Sequence, residues 1–465
     1  MLVRAPPIRA NTDRSRSCAK EATDARAVFK RLPRHRLYGR WFLDVVEPFA
    51  RAISPGFDEY RKRGMNVFEG LEIASHLGAS LQRVLSILPF MFSVETVPAT
   101  MPAGVLVGPR QLEIREIPVW PLDDYGDDDL VLIKVSACGV CGSDFRYYAG
   151  ENPWAQHTLG RFVPNPPNIV LGHEYAGTVV AVLSSANQKL LGKRVAPVCS
   201  KVCGRCTDCL AGRTRLCADT VHMGHGQGWG DREFFPGAYA QYALAWGSTC
   251  FPISDALPFD DAAMMDILAV CLHVAEQGAI QPGRPVLCIG AGPAGNGVAQ
   301  VALNLGASRV VLLERSSVAV QIAKSQGVGT VVDVSGLSDS EISLQIKGFA
   351  PEGFGSVFDT VGSADSLRLG IEHLGKAGTL VNLAVHDEEI PLNFLRLGSE
   401  RRIVTSCNFE VGDYPRALAW LESGRLQVRD WLTPVRLSEV PGWFERVTSA
   451  PQEKGAFKLV IDPWA

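Results

Sequence analysis

The residues with the most chemistry to offer lie in Cys138-Gly-Val-Cys-Gly-Ser-Asp144 and, some thirty residues later, in Gly172-His-Glu174. Together they present thiols, a hydroxyl, an imidazole and two carboxylates. Zn²⁺ takes thiolate, imidazole and carboxylate ligands and keeps one position open when it is catalytic. A single cysteine beside a strand is more often a small buried hydrophobe, so the pair gains weight only from its company. That company begins with Cys203-Gly-Arg-Cys206-Thr-Asp-Cys209 and Cys217, spaced C-x2-C-x2-C-x7-C. Four thiolates this close in sequence can enclose one tetrahedral Zn²⁺ with no position left for water. Such a site does no chemistry; it contributes folding energy to a lobe too small to hold its own core. Cys199 lies nearby but outside the spacing.

A third cluster is Gly290-Ala-Gly292-Pro293-Ala294-Gly295. It sits between an apolar run, Arg284 to Ile289, and a helical pattern carrying Val298, Val301, Ala302 and Leu305. A second apolar run, Arg309 to Leu313, ends at Glu314, 24 residues after the first glycine. In that setting G-x-G-x-x-G reads as a dinucleotide-binding turn. The glycines permit a tight turn and close approach to a pyrophosphate, which then faces a helix N-terminus. Glu314 is placed to accept from the adenosine ribose hydroxyls and repels a 2′-phosphate, favouring NAD over NADP. Arg315, beside it, softens that preference. Asp359-Thr-Val-Gly362 marks another strand's carboxyl end, where ligands bind in such sheets.

These clusters need strands and helices to carry them. Val105–Val107, Leu112–Ile117, Leu130–Val135, Ile169–Leu171 and Thr178–Leu183 read as short strands between turn signals, which suggests a partly closed barrel. Gly224 to Gly237, with His222, His225 and Trp229 nearby, reads as a loop: either a lid over substrate or a plain surface connection. Gly237 to Tyr242 returns to strand-like alternation. From Asp266 onward the pattern is α/β, with six strands expected at 284–289, 309–313, 331–334, 356–359, 379–383 and 402–405. A helix is expected over Tyr414 to Glu422, after which the chain returns to the first domain.

The 465 residues allow two or three domains, and 46% apolar content suits a sizeable core. A net charge of −3 gives no reason to expect nucleic acid or a membrane surface as partner, and no apolar run approaches the length of a bilayer span. The twelve cysteines are clustered or set in apolar runs, which fits a reducing, cytoplasmic setting. Up to Arg40 the chain holds eleven Lys or Arg against three acids. Organelle targeting and a plain basic tail both fit that start. An amphipathic helix is expected within 63–88. No chemistry is assigned to residues 1–98.

Taken together, these motifs resemble the zinc-dependent medium-chain alcohol dehydrogenases, above all the polyol and threonine dehydrogenase branch that includes sorbitol dehydrogenase. The resemblance covers residues 100–465. It implies a GroES-like catalytic domain over 99–265 with a structural-zinc lobe at 199–217, an inserted Rossmann NAD-binding domain over 266–403, and a return to the catalytic domain over 404–465. It implies one catalytic and one structural zinc, NAD as cofactor, an alcohol as substrate and a homo-oligomer, dimer or tetramer. Cys141 and His173 would bind the catalytic zinc, and Glu174 would ligate it or exchange with water. Asp266, in Ala263-Met-Met-Asp266, matches the next ligand position, although Ile267 replaces the usual proline. A helix N-terminal acid is the other reading of Asp266. Asp144 would orient His173. The implied mechanism has zinc lower the pKa of the alcohol, Ser143 take its proton outward through the cofactor ribose, and hydride pass to the nicotinamide.

Two departures stand out. Many relatives carry a histidine where this chain has Arg146, which stays protonated and cannot be a base; proton exit is expected through water or another group. His386-Asp-Glu-Glu389 stands where relatives often have glycine. An NADPH-dependent aldehyde or ketone reductase, and a catalytically idle zinc-binding scaffold, are the competing readings.

Overall fold

The computed structural model describes residues 97–384, 389–450 and 455–465. The basic start, the amphipathic helix expected within 63–88 and residues 386–388 lie outside the described residues. Ten strands come first: β1 Thr100–Gly108, β2 Gln111–Pro118, β3 Leu130–Gly139, β4 Ile169–Val170, β5 Glu174–Val182, β6 Arg194–Pro197, β7 Ser200–Lys201, β8 Val221–His222, β9 Tyr242–Trp246 and β10 Cys250–Pro252. Six more form an α/β unit: β11 Pro285–Ile289, β12 Arg309–Glu314, β13 Thr330–Asp333, β14 Phe354–Asp359, β15 Leu374–Asn382 and β16 Arg402–Thr405. β17 Leu432–Arg436 and β18 Lys458–Asp462 end the chain.

The first part is a barrel-like arrangement whose main sheet runs β10-β6-β5-β3-β18-β17, with β9 also on β3. β3 is its spine, pairing antiparallel with β5, β9 and β18. That position explains its composition. Leu130, Val131, Ile133 and Val135 are wholly buried, so both faces of the strand must be apolar. The smaller sheet β2-β1-β4 packs into the same core.

The second part is a six-stranded parallel sheet in the order β13-β12-β11-β14-β15-β16. The order reverses beside β11, between β12 and β14, and ligands in such sheets bind at that crevice. All six strands expected from the sequence are present, within a few residues of their expected bounds.

Two details differ from expectation. Gly237 to Tyr239 does not form a strand; Ala238 N donates to Gly172 O at 2.9 Å and Tyr239 N to Leu171 O at 2.8 Å, so this segment crosses the loop before β5. Laddering begins only at Tyr242. Likewise, the helix Asp413–Glu422, expected ahead of the return to the first domain, already touches both parts: the Tyr414 hydroxyl donates to the Pro197 carbonyl of β6 at 3.0 Å, while Tyr414, Ala417, Leu418 and Leu421 share one apolar cluster with the helix Met265–Gln277. The chain reaches the barrel sheet again at β17 and β18.

The spine tolerates no added volume where β5 crosses it. A Cβ at Gly177 would lie 2.1 Å from the Lys134 carbonyl oxygen. Gly177→Ala is expected to cost about 1–3 kcal/mol, as overpacking does, read from denaturant unfolding; a loss below about 0.5 kcal/mol, the scale of neutral surface changes, would show that the two strands can spread.

Candidate active site

β3 delivers the first ligand. The strand ends at Gly139, and Cys141, in extended conformation, caps the helix α1, Gly142–Tyr148. Asp144, three residues on, is fully buried and turns back: its Oδ2 accepts from the Cys141 amide at 2.9 Å and from the Tyr239 hydroxyl at 2.8 Å. Its Oδ1 faces His173 Nδ1 at 3.5 Å. Neither atom has a hydrogen-bond partner at this distance, but the contact favours the ring orientation in which Nε2 points away from Asp144, the arrangement that orients a metal-binding imidazole. Burial pulls the His173 pKa down, but Asp144 and Cys141 outweigh it and hold it well above the ordinary value. Ser143 Oγ is buried with no hydrogen-bond partner among the described residues. Cys138, by contrast, is wholly buried with Sγ 3.6 Å from its neighbour's carbonyl, and packs as a small apolar residue.

Glu174 opens β5 opposite Gly139 and has no exposed surface. Its carboxylate is held by Lys458 of β18, with Nζ 2.8 Å from Oε1 and 2.6 Å from Oε2. Burial alone would lower the ammonium pKa; Glu174 and then Cys141 outweigh it and raise it. The ligand atoms of Cys141, His173 and Glu174 all lie within 4.8 Å of one another. Thiolate, imidazole and carboxylate in one buried group suit zinc.

Asp266 stands in the first turn of the helix α2, Met265–Gln277. Burial pushes its carboxyl up to about 6, against the charge of His173. It lies outside the compact group of three, and its Oδ1 accepts from the Cys199 thiol at 3.2 Å. Cys199 Sγ also lies 3.5 Å from His222 Nε2. His222 Nδ1 is 2.7 Å from the Met223 carbonyl and so carries the proton. Burial first, then His173, lowers the His222 pKa to about 3, leaving a neutral ring. His225 stacks on His222 at 4.0 Å and on Tyr147 at 4.5 Å, with neither ring nitrogen hydrogen-bonded. The glycine-rich loop is therefore neither a free lid nor a plain surface connection at its start, since His222, His225 and Trp229 are all buried.

Lys458, Cys199, His222 and His225 were not assigned to the site from sequence. Lys458 carried a signal: a lysine heading the apolar strand Leu459-Val-Ile461 demands a buried partner. Arg146 is engaged by Glu151, Nε to Oε2 at 2.7 Å, and by Gln156 at 2.8 Å.

Against the middle of α2 lies the glycine turn. Gly290 has φ +92°, and a Cβ there would meet Thr360 Oγ1 at 2.2 Å. A Cβ on Gly295 would lie 2.0 Å from the Gly290 carbonyl. Gly292, which caps the helix α3, Pro293–Asn304, faces open space instead. Two glycines thus close the turn, and the third leaves bare backbone at a helix N-terminus, the shape a pyrophosphate needs. Glu314 closes β12 with Oε2 accepting from Ala291 N at 2.8 Å and Oε1 from Arg315 N at 2.7 Å and Ser316 N at 2.8 Å. The Arg315 side chain is exposed. Gly362 N donates to Asp359 Oδ1 at 3.0 Å, turning the chain at the end of β14. The Cys271 thiol of α2 donates to the carbonyl of Ala294 in this turn at 3.4 Å.

The sulfurs of Cys203, Cys206, Cys209 and Cys217 also lie within 4.8 Å of one another, with Cys203 and Cys209 at 4.0 Å. Zinc with four sulfurs at ~2.3 Å has S···S edges of about 3.8 Å, so the lobe fits a closed zinc site. Backbone amides of Arg205 and Cys206 lower the Cys203 thiol to about 7, while burial raises that of Cys209 to about 12.

Comparison with known proteins agrees with this geometry. The profile of the alcohol dehydrogenase GroES-like domain matches residues 127–255, and that of the zinc-binding dehydrogenases matches 293–423, together more than half of the chain. Sorbitol dehydrogenase of Bacillus subtilis is 29% identical over 340 residues, 73% of this chain and 90% of that protein. D-xylulose reductase A of Aspergillus oryzae is 28% identical over 334 residues, 71% of this chain and 88% of that one. A zinc-binding dehydrogenase of Sinorhizobium meliloti solved with NADP is 25% identical at a TM-score of 0.67, covering 79% of this chain and all of that one. With the GroES-like barrel, the Rossmann sheet and both zinc-type donor groups in family order, the chain belongs to the zinc-dependent medium-chain alcohol dehydrogenases, in their sorbitol dehydrogenase-like branch.

Proposed function

We propose that this protein oxidises a secondary alcohol or polyol to the ketone, transferring hydride to NAD. The observation that carries the reading is α2. One helix carries Asp266, which lies outside the compact Cys141–His173–Glu174 group but feels the charges of His173 and Glu174, and, one and a half turns later, touches the dinucleotide turn through Cys271. A metal-type donor set and a pyrophosphate cradle are thereby fixed to one rigid element.

Cys141, His173 and Glu174 would hold the catalytic zinc, with Asp266 alongside, and Cys203, Cys206, Cys209 and Cys217 a structural one. Zinc at the open site supplies Lewis acidity toward the alcohol oxygen. The rest is the work of the chain. Ser143 Oγ, unpartnered at the start of α1, takes the hydroxyl proton. Asp144 holds His173 in one ring orientation. Arg146 remains a fixed cation paired to Glu151 and is no base, so the proton leaves by water. Gly290, Gly292, Pro293, Ala294 and Gly295 would seat the pyrophosphate, Gly362 would face the cofactor from β14, and Glu314 would select NAD. Relatives include a sorbitol dehydrogenase and a D-xylulose reductase, which points to a polyol. The reading includes a cytoplasmic setting, where thiols stay reduced. It also includes a homo-oligomer, for which β16, one of the two edges of the parallel sheet, is a natural seam.

Three outcomes test this. Two zinc ions per chain are expected by metal analysis, with Cys141→Ser losing one zinc and nearly all NAD reduction on a polyol panel; a single zinc in the unaltered protein, undiminished in that variant, would leave only a scaffold. Initial rates are expected to favour NAD, and a large preference for NADP would overturn the role given to Glu314. Lys458→Met should leave Glu174 buried and unpaired, at about 3–5 kcal/mol of stability, read from denaturant unfolding. A loss under about 1 kcal/mol, the worth of an exposed pair, would mean that Lys458 does not carry that charge.

A further inference from the structure

The four-cysteine lobe has almost no interior of its own: over residues 203–217 only Cys217 is buried. Its root is fixed to the barrel side by the pairing of β7 with β8, Ser200 opposite His222. Its outward side chains reach the other half of the protein. The turn Thr214–Leu216 runs straight into Cys217, and its first two side chains close on Glu410. Thr214 Oγ1 donates to Oε2 and Arg215 Nη1 to Oε1. Among the described residues, these are the side-chain hydrogen bonds that residues 203–217 make to the α/β part. Arg215 and Glu410 keep 19% and 24% of their side-chain surface, so solvent screens the pair only in part.

Glu410 stands in the loop that leaves the carboxyl end of β16. The dinucleotide turn after β11 and Gly362 after β14 leave the same edge of the sheet, the edge at which such sheets take ligands. The backbone of Glu410 is pinned in turn. Its amide donates to Asp413 Oδ2 at 2.9 Å, and His273 Nδ1 of α2 lies 3.1 Å from the same oxygen. A run of polar contacts thus joins the lobe, the ligand edge of the sheet and the helix that carries Asp266. Closing the lobe requires none of it, because four thiolates around one zinc do that alone.

We propose that Glu410 is a positioning residue for hydride transfer. It clasps the lobe to the ligand edge of the sheet and so sets the spacing between the barrel's Cys141–His173–Glu174 group and the cofactor crevice. The lobe is then a strut between the two halves as well as a folding element. Hydrogen bonds to a charged acceptor are about twice as strong as neutral ones. Reacting groups misplaced by ~1 Å can lose about 10²-fold in rate, so a clasp that removes less play than that still shows in the chemistry. The inference rests on the hydride transfer proposed above and adds to it what holds the two reacting halves in register.

The test uses the full-length protein with both zinc sites loaded. In Glu410→Ala the single-turnover rate of NAD reduction by a polyol should fall about tenfold, with the NAD dissociation constant unchanged, since the glycine turn and Glu314 stay on the sheet. Glu410→Gln keeps an oxygen for both donors and should recover most of the rate. Arg215→Ala, made from the lobe side, should also slow the step, and the double variant should be no slower than Glu410→Ala, because one clasp is broken once. An unchanged rate in Glu410→Ala, or losses that simply add, would overturn the inference. The second readout places cobalt(II) in the open site, leaves zinc in the lobe, and measures relaxation of the nicotinamide protons of bound NAD. Relaxation should be weaker in Glu410→Ala than in the unaltered protein. Equal relaxation in the two overturns the clasp and leaves the proposed function standing. No relaxation in the unaltered protein overturns the proposed function and the clasp together.

Discussion

A charge without water must find its partner inside the protein, and here that requirement links the start of β5 to the last strand. Glu174 has no exposed surface, and among the described residues the ammonium against it comes from Lys458, 284 residues later. An unpaired carboxylate at that depth costs several kcal/mol. The site is therefore complete only once β18 lies on β3, where Ile461 and Val460 pair with Cys138 and Gly139. The whole parallel sheet is made between these two strands. Such long-range closure is slow to form and exacting in register. It places the barrel's last strand under the same constraint as the metal-type group.

The second constraint is the stiffness of α2. Its first turn carries Asp266, and its middle turns pack on α3 so closely that a Cβ on Gly297 would fall 2.5 Å from Cys271 Sγ. Precision in a reactive pair is best held by helices and strands rather than loops. Here the donors come from the end of β3, the start of β5 and the start of α2, while the dinucleotide turn comes from β11 and α3. Cys141 and His173 sit in the few irregular residues that join these elements, and His222 closes the short strand β8 with His225 just beyond it. The rings of His222 and His225 are stacked, neutral and buried, so they too are held by packing.

What the sequence made legible was local. The four-cysteine spacing, the glycine turn with its acid, and the six α/β strands each declare themselves within about 30 residues, the size of one supersecondary unit. Cys141, His173 and Glu174 were legible as types, and the fold brings them together. What stayed hidden depended on contacts that no window spans: Cys199 meets Asp266 over 67 residues, and Lys458 meets Glu174 over 284. Cys199 falls outside the four-cysteine spacing, which belongs to a different site. Alternation misled at Gly237 to Tyr239, since an apolar-polar pattern records burial on one side and not which neighbour supplies it. The helix after β16 looked like a return to the barrel, but Tyr414 donates to the Pro197 carbonyl while its helix packs on α2, so it serves both halves.

Glu314 shows how far a single side chain can be committed by its own backbone. A carboxylate offers about four acceptor sites, and three are already taken by the amides of Ala291, Arg315 and Ser316. One of those amides belongs to the glycine turn itself, so the acid is bolted to the element expected to seat the pyrophosphate. It cannot swing aside for a 2′-phosphate without releasing three donors, each worth about 1 kcal/mol or more to a charged acceptor. The exposed Arg315 has the charge to welcome such a phosphate, but its own amide helps to hold the opposing carboxylate in place. The proposed preference for NAD is therefore a property of the turn's hydrogen bonding as much as of one acidic residue.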